Sequence, residues 1–481
     1  MEKSFDVVVA GCGVAGLSAA VTAAESGLKV AVLERTSRED RGGQSRYTEA
    51  YLRMKALDQV SDDFETHLAE HAGVYMDPDF AAEMGGDRAG WSHMTRALAS
   101  PDPELIMNFA DHVPDTIAWL QGLGVKFDFL PTQFLTKTQP RLLPVGGGEA
   151  LVEALAVRAE QLGVTFFYHT TARRLLLDER GEVQGLLTHH PDEGGIRFMG
   201  TVVLACGGFE GNPAMMARYV GPRSVYLRPV CKGGYFNRGE GIEMALDAGA
   251  APCGEFGSYH AEPVDPRSGV SEPSVFIFPY GVLVNKSGRR FTDEAPGTVD
   301  AYYERVTRRI YEQEEGIAYV ILDQRVKDVP NYRLAIRTDQ PAIEADSLQA
   351  LGDKLGMPSG ELDATVARYN AACPSDDGFK PLELDGLATQ GLSPAKSNWS
   401  RRIDQGPFMA YPIISANVFT FGGLKINPSG QVLDTDGNPM QNLYAAGETI
   451  GMYYTNYTGA TSVLKGLVFG RLSAQHIANA Q

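Results

Sequence analysis

Cysteine is scarce in this chain of 481 residues. Its five cysteines are spread so widely that no two lie within four positions of each other. This scatter excludes a Cys-x-x-Cys pair and the usual spacings of zinc and iron–sulfur ligands. An odd number of dispersed thiols is typical of a reducing compartment. We therefore expect no metal site.

Basic residues are also few relative to acidic ones. The chain has 43 lysines and arginines against 60 aspartates and glutamates, so its net charge at pH 7 is −17. Nucleic-acid binding needs a surface of clustered cations, and this balance argues against it. An anionic substrate stays open, because the charge inside one pocket can oppose the charge of the whole protein.

Long apolar runs are missing as well. No uninterrupted apolar stretch approaches the roughly 18 residues of a membrane-spanning helix. The N-terminus, MEKSFDVVVAGCG, enters a strand at once and lacks the basic and apolar regions of a signal peptide. We therefore expect a cytoplasmic protein without a membrane span. At roughly 100–200 residues per domain, the length suits two or three domains.

Glycine, by contrast, is frequent, with 53 residues. The first cluster is a GxGxxG motif that follows a predicted strand, 5–10, and opens a predicted helix, 14–26. In this context Gly11 permits a tight turn, Gly13 lets the backbone approach a pyrophosphate, and Gly16 allows helix and strand to pack closely. The motif predicts a dinucleotide site.

Later residues support and narrow this prediction. Glu34 ends the next predicted strand and can accept hydrogen bonds from the ribose hydroxyls of adenosine. A second glycine loop, 42–45, follows it. Segments 203–209 and 443–448 resemble the strand–turn segments that close flavin sites, and no second GxGxxG motif follows a strand. The set favours FAD over a nicotinamide nucleotide.

In order and spacing, these segments resemble the flavoprotein family of fumarate reductase and succinate dehydrogenase over nearly the whole chain. The resemblance implies an α/β fold, with a Rossmann-like FAD-binding domain in residues 1–256 and 418–481. An α+β capping domain, residues 257–417, would be inserted into it. The implied residues that bind FAD are Gly11, Gly13, Val14, Ala15, Gly16, Glu34, Arg35, Gly42, Gly43, Gln44, Ser45, Ala172, Ala205, Gly207, Gly208, Gly241, Gly447, Glu448, Ser462 and Val463.

The family chemistry is hydride transfer between flavin N5 and a carbon next to an electron-withdrawing group, so saturated and unsaturated substrates interconvert. Fumarate reducers hold two carboxylates with His and Arg side chains, a geometry that suits the arginine fork. At the matching positions this sequence has Phe419 in place of a His and Tyr457 in place of an Arg. Thr298 stands where those enzymes carry a proton-shuttling Arg. These departures argue against simple fumarate reduction.

Tricarballylate dehydrogenases look more similar, and they suggest a small polycarboxylic acid as substrate. The segments that carry this likeness are Arg41–Thr48, Arg290–Glu294, Phe419–Phe421 and Asn456–Gly459. A polycarboxylate needs several cations, which Arg46, Arg53 and His260 could supply. His260 is also the first choice for the catalytic base, because an imidazole ordinarily titrates near the operating pH.

Two alternatives stay open. Ketosteroid 1-dehydrogenases share a Tyr-x-Gly in the C-terminal loop, so Tyr457 and the N–H of Thr461 would polarise a carbonyl oxygen in a desaturase or ene-reductase. Those enzymes use a cap tyrosine as base, for which Tyr302 and Tyr303 are poorer candidates. The chain could also be a flavoprotein subunit for electron transfer. Since it carries no haem or cluster motif, the flavin would exchange electrons with an external acceptor or a redox partner protein.

We predict that FAD is bound non-covalently, because no histidine lies within the loop 42–45. Acid precipitation of the purified protein should release the yellow chromophore into the supernatant, where its absorbance can be measured. A pellet that stays yellow after washing would contradict the prediction.

Overall fold

This computed structural model describes residues 1–70, 77–129 and 141–480. Helices occur in all three of these ranges. The α-helices are Val14–Glu25, Phe64–Glu70, Pro78–Met84, His93–Ala97, Pro103–Gly122, Gly147–Gln161, Pro213–Tyr219, Glu240–Asp247, Val299–Tyr311, Leu348–Lys354, Glu361–Ala372 and Ser462–Ala480. Within these described ranges, no helix is both long enough and apolar enough to cross a bilayer.

The first sheet is built around the N-terminal strand Glu2–Ala10. It pairs in parallel with Val30–Leu33 on one side and with Gly194–Leu204 on the other. Thr165–Phe167 and Pro439–Ala445 extend the parallel sheet at its two sides. The valines at the centre of the first strand are fully buried, as expected for a parallel sheet covered on both faces.

Helices cover this sheet closely because small residues lie between them. The first helix, Val14–Glu25, packs against the last one, Ser462–Ala480. A Cβ atom on Gly470 would lie only 2.3 Å from the carbonyl oxygen of Ala15, so glycine is required for the two backbones to approach. The C-terminal helix therefore belongs to the same layer as the N-terminal glycine motif.

An antiparallel extension joins the first sheet. Strand Thr171–Leu177 pairs with Val183–His190, which pairs in turn with Gly194–Leu204. The first two of these strands form a hairpin that turns near residues 180–181. Gln431–Leu433 pairs antiparallel with Pro439–Ala445 at the edge of the first sheet. Other short strands form three separate pairs, Met54–Ala56 with Gln59–Val60, Phe127–Asp128 with Leu143–Pro144, and Pro252–Cys253 with Gly423–Leu424.

The second sheet is organised by one long strand, Phe408–Thr420. It pairs antiparallel with Tyr259–Val264, Ile317–Leu322 and Ile343–Ala345 and in parallel with Arg228–Pro229; Val282–Asn285 adds to its other side through Ile317–Leu322. The predicted boundaries of the capping domain, 256/257 and 417/418, stay predictions. The long strand runs across the second of them.

One helix packs on this sheet. Val299–Tyr311 buries Val299, Val306 and Ile310 on one side, at the spacing of an amphipathic helix. It contacts strands Tyr259–Val264 and Phe408–Thr420. Its polar residues near the middle therefore lie close to the carboxyl end of the long strand.

We predict a measurable pH dependence of stability from Lys396, which is fully buried. Its Nζ donates to the carbonyl oxygen of Gly281 at 2.6 Å, and burial lowers the pKa of Lys396 from 10.5 to about 8. Between these two values the unfolded chain binds more protons than the native one, so raising the pH stabilises the native state by up to ~1.4 kcal/mol per pH unit.

Urea unfolding of Lys396→Met should lack this contribution, whereas the exposed control Lys380→Met should keep the wild-type slope of unfolding free energy against pH. An equal slope in Lys396→Met and in the wild type would contradict the assignment.

Candidate active site

A long cavity lies at the carboxyl ends of the parallel strands, the position where ligands bind in open α/β sheets. The predicted cofactor residues that line it are Gly11, Gly13, Val14, Ala15, Glu34, Arg35, Gly42, Gly43, Gln44, Ser45, Ala172, Ala205, Gly207, Gly447, Glu448, Ser462 and Val463. Segments far apart in the chain therefore meet at one site.

The glycine turn leaves room for a phosphate group. Gly11 has a φ of +109°, and a Cβ atom there would lie 2.1 Å from the carbonyl oxygen of Ala205. The helix that follows begins at Val14 with no acidic residue in its first turn. Its N-terminal N–H groups and its dipole thus favour an anion, and Ser45 Oγ lies 3.4 Å from the N–H of Val14.

Glu34 lies where the ribose of a dinucleotide is expected. Its carboxylate is buried and accepts hydrogen bonds from the N–H of Cys12 at 3.1 Å and from the N–H and hydroxyl of Thr36 at 2.8 and 2.9 Å. The neighbouring Arg35 donates to the carbonyl oxygen of Phe236 at 2.7 Å and to Glu240 at 2.5 Å. These bonds fix both side chains in the wall.

Three predicted cofactor glycines lie behind the wall and do not line the cavity. A Cβ on Gly16 would be 2.0 Å from the carbonyl oxygen of Gly11, and one on Gly241 would be 3.0 Å from the sulfur of Cys206. A Cβ on Gly208 would be 2.1 Å from Glu448 Oε1. Their role in this structure is to let the lining residues approach one another.

Two buried groups that sequence reasoning missed lie next to Glu448. Glu210 shares Asn237 with it: the amide donates to Glu210 at 2.7 Å and to Glu448 at 3.3 Å. Burial, and then the charge of Glu448, raises the pKa of Glu210 well above its usual value. Lys465 also lines the cavity, and burial lowers its pKa to about 7.

A second cavity lies between the helix Val299–Tyr311, the second sheet and the C-terminal loop. The residues that line both cavities are Thr48, Val418, Phe419, Ser462 and Val463. A ligand in the second cavity therefore adjoins a ligand in the first. Gln44 holds this junction together, because its amide donates to the carbonyl oxygen of Val418.

His260 lies in the wall of the second cavity, on the strand opposite Phe419. Its side chain is only 4% exposed. Nδ1 lies 3.1 Å from Glu304 Oε2, and Nε2 lies 3.1 Å from the hydroxyl of Tyr303. The ring centroid is 4.5 Å from that of Tyr457. The structure thus places His260 at the predicted site, with both nitrogens engaged.

Tyr457 lies at the N-terminus of the last helix. Its hydroxyl oxygen accepts the N–H groups of Thr461 and Ser462, both at 3.0 Å, and it donates to Ser462 Oγ at 2.9 Å. Burial raises the pKa of Tyr457, which keeps it a neutral O–H donor. The expected pair of Tyr457 and the Thr461 N–H is therefore brought together, although in this structure the two groups bond to each other.

The structure does not bring Arg46 into either cavity. Its guanidinium pairs with Glu149 and Glu153 on the helix Gly147–Gln161, each at 2.6 Å. The 3-10 turn that follows Gly43 directs the side chain toward this helix and away from the substrate space. This position differs from the one expected for a cation that contacts substrate.

Arg53 does line the second cavity, but its donors are engaged. Its guanidinium forms a two-pronged ion pair with Asp63, and NH1 donates to the carbonyl oxygen of Gly459 at 3.0 Å. The side chain is only 5% exposed. Its charge is therefore balanced locally before any substrate enters.

Arg141 is the cation that sequence reasoning missed. It lines the second cavity, and its terminal nitrogen NH1 is buried without a hydrogen-bond partner. In the part of the chain that the structure describes, no carboxylate lies within ion-pair distance of it. Burial lowers the pKa of Arg141, and the charge of Arg53 lowers it further. The segment before the glycine turn at 146–147 carries no periodic signal that could have identified it.

Carboxylates are as prominent in this cavity as guanidinium groups. Glu49 pairs with Arg337 at 3.0 Å. Burial, together with the charges of Glu262 and Glu49, raises the pKa of Glu272 well above its usual value. The cavity is thus a mixed, largely balanced electrostatic environment, which the sequence pattern did not indicate.

Two adjoining cavities of this kind are the arrangement of an oxidoreductase, a protein class in which a dinucleotide would bind next to a separate substrate cavity. The sequence profile of the FAD binding domain family matches residues 6–464. The chain belongs to this family. The glycine cradle, the free helix N-terminus and Glu34 are all suited to the pyrophosphate and ribose of FAD.

Three curated proteins of known activity are similar to the chain. It is 27% identical to the vinyl phenol reductase of Lactiplantibacillus plantarum, over 99% of this chain and 97% of that protein. It is 27% identical to the NADH:acrylate oxidoreductase of Vibrio harveyi over 99% of this chain, but spans only 50% of that protein. It is 26% identical to the 4-oxocyclohexanecarboxylate 2-dehydrogenase of Sinomonas cyclohexanicum, over 99% and 93%.

A solved structure shows the same fold. The open conformation of a flavocytochrome c3 fumarate reductase superposes with a TM-score of 0.74 at 23% identity, over 99% of this chain and 78% of that one. The predicted fold class, the FAD cofactor and the resemblance to the fumarate reductase family are confirmed. The protein is an FAD-dependent oxidoreductase that acts on CH–CH bonds. The likeness to tricarballylate dehydrogenases stays a prediction.

We predict that Glu34→Ala weakens FAD binding at least tenfold. The substitution removes a charged hydrogen-bond acceptor, and such bonds contribute about 1.5–3 kcal/mol. Titration of the apoprotein with FAD, followed by flavin fluorescence, measures the dissociation constant. The exposed control Glu179→Ala should bind as the wild type does, and an unchanged constant in Glu34→Ala would show that the carboxylate does not contact the cofactor.

Proposed function

We propose that the protein interconverts a saturated and an α,β-unsaturated compound that carries a single carbonyl or carboxylate group next to the reacting bond. The observation that carries this proposal is the wall of the second cavity. It combines a neutral donor, Tyr457, with a buried guanidinium nitrogen, NH1 of Arg141, that has no hydrogen-bond partner among the described residues. The other arginines named for the substrate are neutralised by carboxylates.

Tyr457 supports carbonyl activation. The two N–H groups that bond to its oxygen come from the start of the last helix, where the helix dipole is positive. Hydrogen bonds accepted by a hydroxyl oxygen polarise its O–H bond and strengthen it as a donor. A substrate oxygen that took the place of Ser462 Oγ would accept a hydrogen bond from the Tyr457 hydroxyl. This bond would stabilise the negative charge that develops on the substrate oxygen.

Arg141 supports an anionic or strongly polar substrate group. A guanidinium group that is buried without a partner is costly, and a carboxylate would satisfy it with paired hydrogen bonds. Both side chains line the second cavity. One substrate could therefore contact both.

The reaction divides between cofactor and protein. When bound, FAD supplies the hydride-accepting or hydride-donating atom, N5 of its ring. Tyr457 and Arg141 would bind and orient the substrate at the junction of the cavities, beside Phe419 and Val463. The cap would exclude water there, which strengthens each polar contact.

A small polycarboxylic acid, of the kind oxidised by tricarballylate dehydrogenases, is the second candidate. The specific observation in its favour is that Arg53 and Arg141 both line the cavity, close enough for one charge to affect the other. Against it, Asp63 already pairs with Arg53, and Arg46 lies outside. His260 would then serve as a neutral or charged hydrogen-bonding group.

We also propose an electron acceptor and a cellular location for the protein. The flavin would exchange electrons with an external acceptor or a redox partner protein, since the residues that the structure describes include no cluster of metal-binding side chains. We place the protein in the cytoplasm, on the basis of its dispersed thiols.

The test is anaerobic and follows the flavin absorbance. Oxidised holoenzyme is mixed with 4-oxocyclohexanecarboxylate or tricarballylate, and photoreduced holoenzyme with acrylate, 4-vinylphenol or fumarate. We expect 4-oxocyclohexanecarboxylate or acrylate, which carry one carbonyl or carboxylate group next to the reacting bond, to change the flavin redox state fastest. Fastest reaction with 4-vinylphenol or fumarate would contradict the proposal. Faster reaction with tricarballylate would favour the second candidate, and no reaction with any of the five would overturn both.

Two variants assign the residues. With the reactive compound, Tyr457→Phe should slow the flavin step roughly 100–1000-fold, as does loss of one oxyanion donor. Arg141→Ala should mainly raise the concentration needed for half-maximal rate if it binds a carboxylate. The controls Tyr226→Phe and Arg309→Ala change half-buried or exposed residues far from the cavities. Equal rates in Tyr457→Phe and wild type would exclude carbonyl activation by Tyr457.

A further inference from the structure

We infer that Tyr303 is the residue that transfers a proton to or from the substrate, and that His260 and Glu304 form a relay that positions and activates it. This inference rests on the proposed function, because it assigns the proton step of the same reaction. It differs from the expectation that His260 itself acts on the substrate.

The geometry of the three side chains is a continuous chain of hydrogen bonds. Glu304 Oε2 lies 3.1 Å from His260 Nδ1, and His260 Nε2 lies 3.1 Å from the hydroxyl of Tyr303. Tyr303 and Glu304 are neighbours on one helix, and His260 reaches them from the second sheet. A carboxylate, an imidazole and a hydroxyl in this order form the arrangement that activates nucleophiles in hydrolases.

His260 is poorly placed to meet a substrate directly. Its side chain is only 4% exposed, and both ring nitrogens are within hydrogen-bond distance of a protein group. Its faces are covered by Tyr457, at 4.5 Å between ring centroids, and by Phe419, at 5.4 Å. Tyr303, by contrast, is only partly buried and borders the substrate cavity.

The charges of the relay are consistent with these roles. Although burial opposes it, the charge of His260 and the guanidinium of Arg308 lower the pKa of Glu304, which is therefore ionised. Arg308 holds the second carboxylate oxygen at 2.9 Å. An ionised Glu304 accepts the Nδ1–H of His260, so in the neutral imidazole Nε2 is free to accept a proton.

Burial raises the pKa of Tyr303 well above its usual value, so this hydroxyl carries a proton between turnovers. The groups that face His260 from the packed elements are Glu262, at 4.0 Å from Nε2, Glu304 and Tyr303 from the helix, and Tyr457 from the C-terminal loop. The two carboxylates stabilise an imidazolium, which the relay needs when it receives a proton.

In dehydrogenation, the C–H bond next to the polarised group breaks, and its proton moves to the hydroxyl oxygen of Tyr303. The hydroxyl proton of Tyr303 moves at the same time to Nε2 of His260, whose positive charge is then paired with Glu304. The second C–H bond would give up a hydride, a hydrogen with its electron pair, and bound FAD would be the acceptor. In the reverse direction an imidazolium gives its Nε2 proton to Tyr303 as Tyr303 protonates the substrate carbon.

This order of proton transfers sets how the rate of dehydrogenation depends on pH. Dehydrogenation requires an unprotonated Nε2 on His260, so acid should slow the reaction and the rate should reach a plateau as the pH rises. Replacement of Glu304 by a neutral residue removes the carboxylate that holds the Nδ1–H, so the plateau should fall because His260 loses its orientation.

The first experiment needs no substrate. Holoenzyme labelled with nitrogen-15 at histidine is titrated by NMR, with His260→Asn to assign the resonances. We expect Glu304→Gln to shift the Nδ1 resonance of His260 and Tyr303→Phe to shift its Nε2 resonance. If neither variant changes the His260 signals, the hydrogen-bonded chain does not exist in solution and the relay is overturned.

The second experiment measures the proton step. Anaerobic flavin reduction by 4-oxocyclohexanecarboxylate is followed against pH, in water and in deuterium oxide. Tyr303→Phe should lower the plateau rate about 100-fold or more, at the low end of general acid–base effects. Substrate binding, seen as a shift of the flavin spectrum before reduction, should be unchanged. The wild type should react more slowly in deuterium oxide, because the hydroxyl proton of Tyr303 moves to His260 in this step.

A matched control lies on the same helix. Tyr311→Phe makes the same change two turns away, outside both cavities, and should react within twofold of the wild type. If Tyr303→Phe keeps the wild-type rate and pH profile, the relay fails although the proposed function stands. If the wild type does not react with 4-oxocyclohexanecarboxylate, the proposed function loses this support, and the NMR titration still decides whether the three residues are linked.

Discussion

The pairing of one strand, Phe408–Thr420, is the constraint on which the site depends. It is bonded along its length to Tyr259–Val264 and Ile317–Leu322, so the second sheet cannot shift relative to it. Its carboxyl end reaches the cofactor cavity, where the backbone N–H of Thr420 donates to Glu448 at 2.7 Å. A slip of one residue would turn Phe419 away from the junction. Hydrogen-bond register therefore sets the distance between cofactor and substrate.

Electrostatic pairing decides what the substrate cavity can bind. A count of arginines suggests a site for several carboxylates, but Asp63 neutralises Arg53 and Glu49 neutralises Arg337. In a buried ion pair, the attraction between the two charges offsets the hydration that both lose. A guanidinium group in such a pair therefore interacts only weakly with a ligand. Only a guanidinium group without such a partner, as at Arg141, retains a strong preference for an incoming anion.

The cofactor site could be predicted in detail because its motifs are local. The glycines of the N-terminal turn, Glu34 and the loop 42–45 act within one βαβ unit, where spacing along the chain fixes spacing in the fold. The substrate site could not be predicted in the same way. Arg46 lies close in sequence to cofactor residues, yet the turn that follows Gly43 directs it to Glu149. Arg141 and Glu304 reach the cavity from distant elements.

The sequence by itself determined the α/β fold, the dinucleotide turn and the type of cofactor, because these depend on glycine conformations and apolar periodicities that act over short distances. It also predicted His260 and Tyr457 for the substrate site, and both line the second cavity. Only the tertiary structure decided which charges are neutralised, which nitrogen of His260 meets Tyr303, and which cation remains for a ligand. These properties depend on side chains brought together from separate strands and helices, and no local pattern encodes their mutual distance.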